Sequence, residues 1–168
     1  MGYLIYLLKN WEKHSAQKMV RDIAEVAFNA NFFFEYKNDK EYFPDGKFSH
    51  LSVFIADDFF SVNYDKQNKC FVLEIQGVNP GGISSGSIQK FDFLKPGENL
   101  CNLASIKDLN EEAYELFYRF CYEYLRLNPD EYFWFDLSKW VYGWEEMQRL
   151  SKYPYDKDWL FKDPGLLE

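Results

Sequence analysis

FFFEY (32–36), LSVFIA (51–56), FFSVNY (59–64) and CFVLEI (70–75) are the runs that decide the fold. They are rich in β-branched and aromatic residues and are separated by FPDGK at 43–47, Asp57-Asp58 and DKQNK at 65–69. Short apolar runs punctuated by turn-forming clusters are the pattern of strands joined by tight connections. Alternate residues of a strand share a face. Val53 and Ile55, then Phe60, Val62 and Tyr64, then Phe71, Leu73 and Ile75 are therefore expected to line one apolar face of an antiparallel meander.

That face needs helices to cover it, and the period changes on both sides. Ala16, Met19, Val20, Ile23, Ala24 and Ala27 recur at helical spacing after Ser15, with Lys18, Arg21, Asp22 and Glu25 opposite; this predicts an amphipathic helix. Asp108 and Glu111 have capping-box spacing, and Ala113, Leu116, Phe117, Phe120, Cys121 and Tyr124 mark a second helix. Leu137, Trp140, Val141, Trp144 and Met147 predict a third from about Leu137 to Ser151, with Gly143 weakening its middle and Pro154 beyond its end. GVNPGGISSGS (77–87) reads as a connection leading to a further strand at Ile88–Phe93. The order predicts one α+β domain over residues 1–168, an antiparallel sheet packed against about three α-helices.

Chemistry-bearing patterns are sparse. Cys70, Cys101 and Cys121 are odd in number and widely spaced, which suits a reducing compartment rather than a disulfide framework. His14 and His50, the two histidines, have no ligand-spaced companions, so no metal is expected. Asp57-Asp58 fits a hairpin turn better than an acid–base pair, because strand neighbours point to opposite faces. The glycine-rich stretch lacks both phosphate-loop patterns. The expectation is a non-enzymatic protein without cofactor. Tyr3–Leu8 is too short to span a bilayer and lacks a basic leader, so no membrane association and a cytoplasmic location are expected.

Charge carries more information. The formal net charge is −8, and 14 acidic residues face 8 basic ones in 101–168, against 13 and 11 in 1–100. A field of that sign repels phosphate backbones and draws basic surfaces. DEYFWFDLSKWVYGWEE (130–146) adds seven aromatic residues and five carboxylates in seventeen positions. On the helical wheel Trp140 and Trp144 face the core, while Tyr142, Glu145 and Glu146 face outward, with Asp130 and Glu131 preceding them. Rings give contact area and carboxylates steer a basic protein; these five residues are the candidate partner-binding surface. If 132–135 is extended, Tyr132 and Trp134 lie on one side and Phe133 and Phe135 on the other, and both pairs need cover. The alternative is a single-stranded nucleic-acid-binding module using the Tyr114, Tyr118 and Tyr122 ridge for stacking, for which a basic groove is missing.

FFFEYKNDKEYFPDGKFSHLSVFIADDFFSVNYD and DEYFWFDLSKWVYGWEEMQ, with the size, acidity and element order of the chain, resemble immunity proteins of bacterial contact-dependent growth inhibition, in particular the neisserial type. The resemblance implies a partner, the C-terminal toxin domain of a large exported effector. Such a toxin is commonly a nuclease, with an RNase favoured, and is neutralised by occlusion of its active site or substrate path. It also implies a topology similar to Whirly single-strand-binding proteins, a likeness of fold that does not confer their activity. It assigns no oligomeric state.

Overall fold

Residues 3–36, 40–57, 69–78, 100–136 and 138–167 are described by the computed structural model, with the backbone alone at Asp108. YLIYLLKN forms β1 (Tyr3–Asn10), and the meander runs form β2 (Phe33–Tyr36), the two-residue β3 (Glu41–Tyr42), β4 (Phe48–Ala56) and β5 (Cys70–Gln76). LCNLASIKDL forms β6 (Leu100–Leu109), and YFWF forms β7 (Tyr132–Phe135). Together they make one antiparallel sheet in the order β2-β4-β5-β6-β1-β7, with β3 also pairing β4.

Register explains the core. Tyr36 pairs Val53, Val53 pairs Leu73, Leu73 pairs Ile106, Ile106 pairs Ile5 and Ile5 pairs Phe135, one row across six strands. Residues directly opposite in a ladder share a face, so the row and its alternates present Leu51, Ile55, Phe71, Ile75, Leu7 and Phe133 to the same side. Helices α1 (Ala16–Ala30) and α2 (Tyr114–Leu127) cover that side, burying Met19, Ile23, Val26, Phe117, Phe120 and Tyr124 in one cluster with the sheet. Full burial of a Phe or Leu contributes about 1.5–3 kcal/mol. The α+β arrangement with three helices is thus as the pattern predicts, and the meander face at Val53, Ile55, Phe71, Leu73 and Ile75 is buried as expected. Phe60, Val62, Tyr64, the strand expected at 88–93 and most of the glycine-rich connection lie outside the described residues.

Helix ends follow local chemistry. Ser15 caps α1, its hydroxyl accepting from the Lys18 amide at 3.2 Å, and Asn31 closes it in the left-handed region at φ 55°. α2 does not begin with Asp108, whose backbone is still in β6; a short 3₁₀ turn, Glu111–Ala113, follows Asn110 and leads into it.

The third helix is shorter than predicted. α3 spans Trp144–Leu150, and the segment before it turns back so that Tyr142 bridges Phe133, with N–H···O distances of 2.9 and 2.8 Å. Gly143 stands at the N-cap rather than in a helix middle. A Cβ there would come within 2.8 Å of the Tyr132 ring, and its amide donates to the Glu146 carboxylate at 2.9 Å. Trp140 therefore precedes the helix, yet both Trp140 and Trp144 pack half-buried against the core.

Candidate functional site

The outward set expected from 130–146 is divided by the fold. Asp130 and Glu145 are exposed. Glu146 is occupied as the α3 cap. Tyr142, expected outside, is 1% exposed. Its hydroxyl accepts from the Trp140 indole at 2.8 Å and reaches the carbonyls of Trp159 at 2.9 Å and Lys162 at 3.2 Å, pinning the C-terminal tail to the core. Burial pushes its pKa above the ordinary phenol value. The helical wheel misplaced it because residues 141–143 are extended, so the side alternates with period two rather than 3.6.

Glu131 is also inside. It pairs with Lys9 at 3.1 Å, the two side chains being 13% and 8% exposed, and accepts from the Tyr124 hydroxyl at 2.8 Å. Asn128 extends the network, donating to the Tyr124 carbonyl at 3.1 Å and accepting from Lys18 at 3.0 Å, while Lys18 also pairs with Asp22 at 2.6 Å. Burial pushes the Glu131 carboxyl up, with Lys9 and the Tyr124 hydroxyl opposing. A cleft of about 250 Å³ opens beside these groups, with Lys13 and Asp130 also in its lining. Each carboxylate oxygen of Glu131 already has its donor, so the cluster acts as an anchor between β1, α1, α2 and β7.

Beside it, His14 accepts no proton readily. Its Nε2 lies 2.8 Å from the Gln76 carbonyl and so carries the hydrogen, while its Nδ1 is buried without a partner. Burial first, and Lys9 second, lower its pKa to about 4.

Among the described residues no three His, Cys, Asp or Glu are grouped to hold a metal. No described helix is long and apolar enough to cross a membrane. Asp57 is engaged by Arg119, which also donates to the Ala30 carbonyl at 2.9 Å; Asp58 lies outside the described residues. Cys101 and Cys121 are buried and Cys70 half-buried, none of the three in a disulfide, and burial raises each thiol pKa.

Sequence reasoning missed an acidic, aromatic surface at the other end of α2. Tyr155 (40% exposed) makes an edge contact with Tyr118 at 5.5 Å, and Phe161 (39%) with Tyr114 at 5.9 Å. Burial first, then Glu115, Asp156 and Asp158, push the Tyr155 hydroxyl up to about 12. Glu111 and Asp158 likewise raise Tyr114 after burial. Asp156 pairs with Lys162, but Glu111, Glu115 and Asp158 make no ion pair among the described residues. The tail folds back to meet the start of α2, with 45 positions separating Tyr114 from Trp159, whose indole donates to the Tyr114 carbonyl. The available signal was six carboxylates, Glu111, Glu112 and Glu115 in one stretch and Asp156, Asp158 and Asp163 in another, too far apart in sequence to be read as one surface.

The tyrosine ridge itself is committed to packing. Tyr114 is 7% exposed, Tyr118 contacts Trp159 at 5.3 Å and Tyr122 contacts Trp144 at 5.2 Å. A different groove, about 570 Å³, lies between α1 and the β3–β4 end, with Tyr36, Tyr42 and Phe48 in its lining and Arg21 and Lys40 as its charged groups.

No family model, curated protein or solved structure matches the chain.

Proposed function

We propose that the chain is an immunity protein that binds the C-terminal toxin domain of an exported effector, a nuclease with RNase favoured, and neutralises it by covering the active site or substrate path. The observation that carries this reading is a pair of half-exposed rings, Tyr155 near Glu115 and Asp158 and Phe161 against Tyr114 near Glu111, the three carboxylates making no ion pair among the described residues, on a chain of net charge −8. A nuclease holds its substrate by phosphate charge and therefore presents a basic surface. Carboxylates set around rings match that surface, steer the encounter and leave apolar area to exclude water. Asp130 and Glu145 are the exposed members of the originally expected set and extend the acidic character.

The test is co-expression with the toxin domain encoded immediately upstream. Restored growth and co-purification are expected, with affinity that falls as salt rises. Continued toxicity, despite ample folded immunity protein, overturns the reading.

A second reading, binding of single-stranded nucleic acid, is favoured by the groove with Arg21, Lys40, Tyr36 and Tyr42, which combines cations with exposed rings. Retardation of a single-stranded RNA at physiological salt supports it; unchanged mobility removes it.

A further inference from the structure

We propose that the pocket on the opposite face of the sheet, formed by β1, β6 and β7, is a socket for a guanidinium group, an arginine side chain presented by the basic partner. It rests on the reading that the partner is a basic protein. The cavity is about 240 Å³ and is lined by Tyr6, Leu8, Asn102, Trp134 and Asp136. Register places it there: Tyr6 pairs Trp134 and Leu8 pairs Asn102, all on the side away from α1 and α2.

Three features select the ligand. The Tyr6 and Trp134 rings are stacked, 5.6 Å apart at 25°, giving a flat π surface, and the Trp134 indole N–H is held by the Ser138 carbonyl at 3.3 Å. Asp136 is the one charged lining residue, and its carboxylate makes no ion pair among the described residues. The Oδ1 of Asn102 is buried without a hydrogen-bond partner. A carboxylate without an ion pair among the described residues, an orphan acceptor and a stacked π surface call for a planar cation rich in donors. Guanidinium has five N–H donors, no acceptor, and a weakly hydrated plane that stacks on aromatic rings; an ammonium offers charge without the plane. An anion is repelled by Asp136, and one carboxylate with one amide is too small a ligand set for a hard metal ion.

The experiment titrates the ¹⁵N-labelled full chain with the capped tripeptide Gly-Arg-Gly, and with its citrulline and lysine counterparts. The reporter is the Trp134 indole N–H resonance, assigned through Trp134→Phe. A saturable shift with the arginine peptide is expected, absent with citrulline and weaker with lysine. Asp136→Asn should weaken arginine binding about fivefold, the scale of one partly exposed charge contact, and Asn102→Leu should weaken it as well, both without lowering the melting temperature. No saturable shift overturns the socket, as does equal binding of citrulline; equal binding of lysine overturns the guanidinium assignment. Arginine-peptide binding by a chain that fails to protect against the toxin retains the socket and refutes the immunity reading. Protection without peptide binding does the reverse.

Discussion

At the C-terminal end of α2, Glu131 has a lysine on one oxygen and a tyrosine hydroxyl on the other, and the Lys9–Glu131 pair is largely buried beside a small cleft. At the N-terminal end, Glu111, Glu115 and Asp158 are exposed near half-exposed rings and make no ion pair among the described residues, the nearby Lys162 being paired with Asp156. The residue types are the same, and burial makes them different. A buried charge must be answered by the fold itself, because desolvation is expensive when a partner is missing. An exposed carboxylate costs little to leave unanswered and remains available to a partner. The first end therefore belongs to stability and the second to recognition, and each prediction below can break that division.

The largest effect is expected from Glu131→Ala. It strands Lys9 and the Tyr124 hydroxyl in a buried site, and removal of one partner of such a pair destabilises by about 3–5 kcal/mol. The paired change Lys9→Met with Glu131→Leu removes both charges and should recover most of that loss, leaving the Tyr124 hydroxyl as the remaining cost. Urea unfolding of the three chains checks this. A loss below about 1 kcal/mol for Glu131→Ala would show the first end to be as tolerant as the second.

His14 gives the next effect, and its sign follows first from its burial and then from the Lys9 charge. The native pKa is lowered to about 4 from 6.5. Between those values the unfolded chain binds a proton that the native chain refuses. Stability therefore rises with pH through that window and is level above it, by up to about 3 kcal/mol in all. Glu131, with its raised native pKa, titrates in the opposite sense, so the wild type alone mixes the two. The informative quantity is the difference between wild type and His14→Gln measured by denaturant unfolding from pH 4 to 7. It should change across the window and be constant above it; a flat difference throughout would mean that His14 is not held neutral by the anchor end.

How much of this was legible follows from where period and burial agree. α1 and the meander alternate or repeat cleanly because each has one face in the core and one in solvent. β1 and β6 do not: Leu7 and Leu8 are both buried, as are Leu103, Ala104, Ser105 and Ile106, and a bulge between Leu7 and Leu8 shifts the register. Strands covered on both faces lose the alternation by which a strand is recognised. Tyr132 and Trp134 indeed find cover apart from Phe133 and Phe135, from Tyr6, Leu8, Leu100 and Val141 on the far face. At 140–144 the two tryptophans sit four apart by coincidence of an extended return and a helix start, so the right core partners came with the wrong backbone. The acidic surface was illegible for a different reason: it joins residues 111–115 to 155–161, and only the tail's return through Trp159, whose indole donates to the Tyr114 carbonyl at 3.2 Å, brings them together.

The smallest effect on stability is expected where recognition is placed. Glu115→Gln with Asp158→Asn removes two exposed charges, of which Glu115 also favours the start of α2, so the loss should stay within about 1 kcal/mol. The same variant should nevertheless be visible at Tyr155. Burial is the first cause of its raised value of about 12 and will persist, but two of the three carboxylates that add to it are gone. Titration of a ¹³C-labelled tyrosine ring should therefore show the Tyr155 transition moving down toward, without reaching, the ordinary 10. The shift should shrink in high salt, since its electrostatic part is screened where the buried part is not. Association with the toxin domain should slow and lose salt sensitivity in the same variant, as rim charges act chiefly on the encounter rate. An unmoved Tyr155 titration would show that the carboxylates do not gather around that ring. A moved titration with unaltered association would place the docking surface elsewhere on the molecule.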